Sequence, residues 1–283
     1  MAKQDRKGYR SGKIGNEIYR QLNGKTIIQS KPTKVRQSAN TQISAREFGM
    51  CSNATTIIRQ VGQFLFEHTD PYLSGRLNAL MRHCVSALPG RSEEKQLNDI
   101  DPSLFIGFQF NPKGPFEKNL LIAPQCTVLP DGTIELLLHG LTPKKHIPFL
   151  QTNAEPFPGS FLRIAVLGIN YTQEEYQLLA IDEMMLAKAK MDGEALPETR
   201  DVHWRCLKKL QKNTLVFVFL SLHYYQLDWL NHRKTIGEKH QLPGGILTAF
   251  RVDEDLFERN KQAAIGPEHQ PAHEAQWFYT LKK

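Results

Sequence analysis

The sequence has 283 residues, of which 40% are hydrophobic and 23% charged, and its formal net charge at pH 7 is +7. This ordinary globular composition excludes a wholly disordered chain and suits one large domain or two smaller ones. The most apolar run, Leu215 to Leu222, is far shorter than the roughly 20 residues of a membrane-spanning helix. The N-terminus has no apolar stretch of the signal-peptide kind. We therefore expect a soluble protein of the cytoplasm, or of a particle assembled there.

Residues Gly12 to Ile28 are predicted to form a β-hairpin closed at Asn23-Gly24. Asn-Gly is the dipeptide that most readily adopts the positive φ angles of a two-residue type I′ turn. This turn predicts three facing pairs, which are Leu22 with Lys25, Arg20 with Ile27, and Tyr19 with Ile28. An isolated hairpin is only marginally stable in water, so this one must lie on the rest of the protein, on a partner chain or on nucleic acid.

The N-terminal segment carries the excess positive charge of the chain. Its first forty residues contain ten Lys and Arg against two acidic residues, a net charge of +8, so the remaining 243 residues sum to −1. The predicted binding residues of this basic arm are Arg6, Lys7, Arg10, Lys13, Arg20, Lys25, Lys31, Lys34 and Arg36. Such an arm suits two kinds of partner. It binds phosphate backbones without sequence preference, or it lies across an acidic neighbouring subunit, as disordered segments do when they fold on binding.

Two amphipathic helices are predicted within residues 41–90. Ser44 and Glu47 have the spacing of a capping box, so the first helix is expected to begin there and to end before Asp70-Pro71. The second is expected to run from about Tyr72 to a stop at Pro89-Gly90. Apolar residues recur at three and four residues through both segments. Because the break between them is short, we expect an antiparallel helical pair.

Residues 100–283 show a period near 2, which predicts an antiparallel β-sandwich. The predicted strands are Leu104 to Phe110, a hairpin from Thr127 to Leu138 around Pro130-Asp131-Gly132, Phe161 to Ile169, Leu215 to Tyr225, Ala249 to Val252, and Trp277 to Leu281. A charged, helix-like segment near residues 182–212 is interpreted as a helical insertion. The predicted fold class is therefore α+β, in which a basic N-terminal β-hairpin in residues 1–40 and a helical pair are followed by an antiparallel β-sandwich.

No catalytic site is predicted. The sequence Gly24-Lys25-Thr26 resembles the end of a phosphate-binding loop, but Tyr19 stands where that motif needs its first glycine. His203 and Cys206 are close in sequence, yet nucleophilic pairs are not usually built from sequence neighbours, so we favour a structural role. No metal site is predicted either, because Pro271 interrupts the one His- and Glu-rich stretch, residues 268–274. The four scattered cysteines are expected to be reduced and mostly buried.

Two segments of the sequence resemble a known protein family. The first, residues 12–32, contains in order Gly15-Asn16, Tyr19, Asn23-Gly24-Lys25 and Ser30-Lys31-Pro32. The second, residues 45–49, reads Ala-Arg-Glu-Phe-Gly. This pattern resembles the opening of a Bacteroidota protein family of unknown function, in which a helical stretch and a β-rich remainder follow. The resemblance covers roughly residues 12–65 and implies no catalytic residue. Some relatives have the character of phage or mobile-element structural proteins, which implies a role in an assembly.

These observations predict a non-enzymatic structural or adaptor protein of a multi-subunit, phage-like assembly. In this interpretation the basic arm docks onto other protein subunits or onto a second copy of the chain. The alternative is a nucleic-acid-binding protein that uses the same arm on phosphate backbones. We expect no cofactor, no membrane span and no small-molecule substrate.

Overall fold

The computed structural model of the chain divides into two compact units, residues 1–46 and 47–283. It describes residues 3–4, 8, 10–22, 25–31, 37–66, 70–90, 94–151, 158–189, 199–230, 232–238 and 241–263. The boundary between the units falls within the first helix. The predicted strand Trp277 to Leu281 and the His- and Glu-rich stretch at residues 268–274 lie outside the described residues.

The first unit contains a four-stranded antiparallel sheet whose strands follow the order of the chain. They are β1 (Lys3–Gln4), β2 (Arg10–Ile14), β3 (Glu17–Leu22) and β4 (Lys25–Ser30). Strands β3 and β4 pair in the predicted register, with Leu22 opposite Lys25, Arg20 opposite Ile27 and Tyr19 opposite Ile28. The hairpin is thus confirmed, although its Asn23-Gly24 turn lies outside the described residues. Strands β1 and β2 extend it into a meander.

The two predicted helices are present as α1 (Ala39–Leu65) and α2 (Leu73–Ala87). Thr55 of α1 donates a hydrogen bond from its hydroxyl to the side-chain oxygen of Asn78 in α2. One turn later in α1, Arg59 donates to the Ser74 hydroxyl at 2.5 Å, one turn earlier in α2. The residue numbers at these contacts rise along α1 and fall along α2, so the two helices run in opposite directions. The predicted antiparallel pair is confirmed.

Helix α1 begins five residues before the predicted capping box. Ser44 therefore lies inside the helix, and its predicted role as the capping residue is wrong. The cap is formed by Ser38, whose hydroxyl oxygen accepts from the Thr41 backbone N–H at 3.2 Å. That bond satisfies one of the N–H groups that a helix start leaves without an intrahelical partner, so the helix begins there instead.

The β-rich region forms two antiparallel sheets. Its strands are β5 (Gln125–Val128), β6 (Ile134–Leu141), β7 (Gly159–Asn170), β8 (Glu175–Ala187), β9 (Arg200–Cys206), β10 (Leu215–Leu227), β11 (Arg233–Ile236) and β12 (Gly244–Arg251). Five strands make the larger sheet in the order β11-β10-β7-β8, with β12 also paired to β10, and three make the smaller sheet in the order β5-β6-β9.

Both faces of the larger sheet are covered. On β7, Ile164 and its alternate neighbours pack against the smaller sheet, which completes the predicted sandwich-like arrangement. Leu167 and Ile169 face the other way, into a second apolar cluster shared with α1 and α2. Burial on both faces explains why Phe161 to Ile169 and Leu215 to Tyr225 are nearly continuous apolar runs. The helical pair and the sandwich, which we predicted as separate segments, therefore belong to one unit.

The helical insertion predicted near residues 182–212 is wrong for the described part of that segment. Residues up to Ala187 continue strand β8 along β7, and Arg200–Cys206 form β9. Glu, Met, Leu, Ala and Lys favour helices on intrinsic propensity. Here pairing with β7 buries Met184, Leu186 and Ala187 in the sandwich core, and this packing outweighs the propensity.

The strand predicted from Leu104 to Phe110 is also wrong. This segment begins with a 3₁₀ helix, Pro102–Phe105, and only Gln109 makes a single bridge, to Gly245. Asp101 accepts from the Ser103 N–H at 2.9 Å and so caps the turn. The alternation in the sequence does not match the burial, since Leu104 and Ile106 are exposed whereas Phe105 and Phe110 are buried.

The remaining elements are short. They are the helices α3 (Phe116–Asn119), α4 (Pro143–His146) and α5 (Glu254–Ala263), and the 3₁₀ helices Leu97–Asp99 and Pro148–Gln151. The predicted hairpin around Pro130-Asp131-Gly132 is confirmed by the pairing of β5 with β6, and the late strand at Ala249 by β12. All four cysteines are free thiols, and three of them are buried, as the sequence predicted.

Candidate functional site

The candidate site is one face of the N-terminal sheet. In an antiparallel sheet, directly opposed residues share a face and successive residues of one strand point to opposite faces. Lys13 is opposite Ile18, Arg20 is opposite Ile27, and Lys25 is opposite Leu22. These pairs put Lys13, Arg20 and Lys25 on the same side. Lys3, opposite Ser11, shares this side, and Lys31 lies next to Lys13. We call the surface formed by these five cations the cationic face.

The cations of this face form a regular pattern. Lys25 on β4 is opposite Leu22 on β3, and Arg20 lies two residues before Leu22 on that strand. Lys13 on β2 is opposite Ile18, which lies two residues before Arg20, so the same step is repeated. Since neighbouring strands are about 4.8 Å apart and residues rise about 3.4 Å, each step spans about 8 Å between Cα atoms. Lys3, opposite Ser11 on the edge strand β1, adds one further step of about the same length. A diagonal stripe of positive charge therefore crosses β4, β3 and β2, and it turns back at Lys3, which lies level with Arg20.

No acidic side chain lies on the cationic face among the residues that the structure describes. Glu17 is the one described acidic residue of the sheet, and it points to the opposite face with Tyr19 and Ile28. There its carboxylate accepts from the Tyr19 hydroxyl at 2.7 Å, which raises the pKa of Tyr19. The positive charge of Arg10 acts on the same hydroxyl in the opposite direction. The sheet thus has one face with acidic and basic groups and one that is basic only.

One lysine of the cationic face perturbs another. The backbone N–H of Lys31 donates to the Asn16 carbonyl at 2.6 Å, which holds the end of β4 against the turn after β2. The Lys31 side chain lowers the pKa of Lys13, first through a side-chain hydrogen bond and then through charge repulsion. Both groups are exposed, so the effect on folding stability is small. A bound anion between them would relieve this repulsion.

The sheet has little core of its own. Of its described side chains none is buried, and only Ile18 and Tyr19 are half-buried. Large aliphatic side chains are exposed on both faces, with Leu22 59% and Ile28 57% accessible. A sheet of this size needs one hydrophobic face packed against something to be stable. The described side chains of this sheet therefore leave apolar area exposed beside the cations.

The predicted binding residues fall into three groups. Lys13, Arg20, Lys25 and Lys31 come together on the cationic face. Arg10 lies on the opposite face, near Tyr19. The remaining four, Arg6, Lys7, Lys34 and Arg36, lie outside the described residues. Lys3 was not among the predicted binding residues. Its strand, β1, is only two residues long, and two residues show no recognisable alternation in the sequence.

A second polar group lies in the core of the larger unit. Ser221 Oγ is 2.8 Å from His223 Nε2, the kind of contact by which a histidine activates a nucleophile. Both residues are only 1% exposed, so no substrate reaches them. Burial lowers the pKa of His223 to about 4, and the positive charge of Arg163 acts in the same direction. This neutral pair is therefore part of the packing between β10 and the end of α1.

A shallow cleft of about 610 Å³ lies on the same unit, lined by Phe64, Arg163, Ile181, Asp182 and Glu183. Its charged groups pair with each other, since Glu183 accepts from Arg163 at 3.0 Å and from Arg233 at 3.3 Å. The Asp182 carboxylate accepts from the Trp204 indole N–H at 2.9 Å. The cleft therefore offers a ligand few groups that are not already engaged.

Other candidates are separated by the fold. His203 is exposed on β9 whereas Cys206 is buried, and burial raises the pKa of that thiol to about 11. Within the described ranges, no three His, Cys, Asp or Glu side chains group closely enough to hold a metal ion. None of the described helices is long and apolar enough to cross a membrane.

Comparison of the sequence with protein-family models and with curated proteins finds no match. The family resemblance of residues 12–65 therefore stays a prediction, and the cationic face is interpreted from its own geometry.

Proposed function

We propose that the protein is a non-enzymatic docking protein, a structural or adaptor component of a multi-subunit assembly. In this proposal the α+β unit formed by residues 47–283 is the scaffold, and the N-terminal sheet is the element that binds the partner through its cationic face. The assembly is built in the cytoplasm and is of the phage-like kind that the sequence resemblance implies.

The observation that carries the proposal is the separation of charge in the N-terminal sheet. Five cations share one face on which no described acidic residue lies, although Glu17 is present in the same strand as Arg20. A solvated face has no physical reason to exclude acidic residues, because mixed charges reduce self-repulsion. Exposed aliphatic side chains between the cations, Leu22 and Ile27, add area that a partner would bury. A polyanionic partner fits both features.

The test compares two full-length variants of equal net charge. In the first, K13Q/R20Q/K25Q, three cations of the cationic face are neutralised. In the control, K113Q/K118Q/K144Q, three exposed lysines of the larger unit are neutralised. Binding to two polyanions, polyglutamate and duplex DNA, is measured by fluorescence anisotropy in 50 mM salt.

The proposal predicts that the first variant loses at least about 10-fold in affinity for the polyanion that binds, since three ionic contacts are removed. The control should stay within about 2-fold of the wild type. Equal losses in the two variants would show that binding follows net charge alone, and they would overturn the proposal. Circular dichroism of both variants confirms that the fold is kept.

A further inference from the structure

We infer that the partner of the cationic face is the phosphate backbone of a nucleic acid, bound without readout of base sequence. This inference rests on the proposed docking function and names the partner class of the same face. It is carried by the spacing of the cations, by their chemistry and by the side chains between them.

The spacing fits a dense, regular line of negative charge. Lys25, Arg20 and Lys13 follow one another at about 8 Å along a straight diagonal of the sheet. Phosphates follow one another along each strand of a duplex at about 3.4 Å of helix axis, so every step of the stripe passes about two phosphates. Each cation can therefore reach a phosphate without adjustment of the backbone. The carboxylates of a folded protein surface offer no such repeat, since both signs of charge are normally interspersed there.

The types of cation point the same way. Four of the five are lysines, whose ammonium is a compact point charge on a flexible stem. Binding a planar carboxylate in a fixed orientation favours the two-pronged arginine side chain instead. A face composed mainly of lysines suits contacts that tolerate sliding along a backbone and carry no orientation.

The side chains between the cations favour a duplex over a single strand. Ile18, Leu22 and Ile27 lie on the cationic face, and within its described residues no aromatic side chain is present. Proteins that hold single strands stack the bases on aromatic rings. Tyr19 is the described aromatic residue of this sheet, and it lies on the opposite face, bonded to Glu17. Contact with the backbone alone is thus the mode that the face allows.

The closeness of Lys13 and Lys31 supports the inference independently. The Lys31 ammonium raises the cost of charging Lys13, and the pKa of Lys13 is lowered as a result. A phosphate seated between them reverses the sign of that local potential. Binding of a nucleic acid should therefore bring the pKa of Lys13 back toward its usual range.

The experiment adds one charge to the sheet on either face. Gln29 is opposite Ile18 and lies on the cationic face, whereas Thr26 is opposite Gln21 and lies on the other face. Both are exposed, and the full-length variants Q29K and T26K have the same net charge. The affinity for a fluorescein-labelled duplex of 25 base pairs, and for one of its single strands, is measured between 50 and 200 mM salt.

The inference predicts that Q29K steepens the slope of log affinity against log salt for the duplex by about 0.9, the value for one added phosphate contact. T26K should leave the slope unchanged, and K13Q/R20Q/K25Q should make it shallower by about 2.7. Changing the duplex sequence should have no effect. A thermal midpoint near that of the wild type shows that each variant is folded.

Four results would overturn the inference. Equal slopes for Q29K and T26K would place the contacts elsewhere, and tighter binding of the single strand would require a stacking surface. Binding of polyglutamate but not of the duplex, lost in K13Q/R20Q/K25Q, would overturn the nucleic-acid partner while leaving the docking function intact. If neither probe binds, both the inference and the proposed function are wrong.

Discussion

His223 shows how a single residue couples this fold to pH. Its ring is stacked on Phe161 with centroids 5.2 Å apart, and its Nδ1 atom is buried without a hydrogen-bond partner. Burial penalises the imidazolium, the positive Arg163 adds repulsion, and the Leu65 carbonyl opposes both only in part. The folded protein therefore holds this histidine neutral, whereas the unfolded chain protonates it near the ordinary pKa of 6.5.

The depressed pKa predicts a loss of stability in acid. Above about pH 6.5 the contribution of His223 is fully present, because the residue is neutral in both states. As the pH falls to about 4, His223 becomes protonated in the unfolded state but stays largely neutral in the folded state. This difference lowers the free energy of unfolding by about 3 kcal/mol. Urea unfolding at several pH values should show this slope in the wild type and in H203Q, an exposed control on β9. A slope that persists undiminished in H223Q would refute the assignment.

At the scale of elements, the packing of helix α1 against the loop that contains Phe110 depends on Gly62. A Cβ atom placed on Gly62 would lie 1.9 Å from the Phe110 ring. That ring is fully buried and packs on Phe66 at a centroid distance of 4.7 Å, so it has no free space to move into. Glycine here is a packing requirement of the helix.

Replacing Gly62 by alanine should destabilise the protein by about 2 to 3 kcal/mol, the usual cost of forcing extra volume into a packed core. The matched control is G49A in the same helix, where an added Cβ meets nothing within 4 Å. That change should stabilise the protein by up to about 1 kcal/mol, because alanine favours helix. Chemical denaturation measures both variants, and equal effects of the two substitutions would contradict this packing account.

The elements that the sequence predicts well are those with a strong local signal. The Asn-Gly dipeptide in the sequence predicts the register of β3 and β4 correctly, and the run Leu215 to Tyr225, covered on both faces, is recognisable as a buried strand. Strand β8 was missed because its residues favour helix on their own and become a strand only by pairing with β7. The start of α1 was missed because Ser38 caps it without the Glu or Gln of a capping box.

The candidate site was predictable only in part. The excess of lysine and arginine near the N-terminus is plain in the sequence. Which of these cations share a face depends on β2 joining β3 through Gly15-Asn16, where Gly15 has a φ of 55°. Without that second turn, Lys3 and Lys13 have no defined relation to Arg20, and Arg10 cannot be separated from the group.

At the scale of the whole molecule, charge and core are divided between the two units. Residues 47–283 contain both apolar clusters and most of the acidic residues, whereas the N-terminal sheet contains no buried side chain among those described. A domain with its own core needs no partner for stability, but a sheet exposed on both faces gains stability by binding one. This division is the one that the proposed function requires, in which a stable scaffold is joined to a docking element.

The most direct test of this account is a lysine footprint of the full chain. The protein is acetylated under limiting conditions with and without a 25-base-pair duplex, and each lysine is quantified by mass spectrometry. We expect several-fold slower reaction at Lys3, Lys13, Lys25 and Lys31, and unchanged reaction at the exposed controls Lys113, Lys118 and Lys144. Protection that is equal at all of these lysines, or strongest at the three controls, would contradict docking through the cationic face.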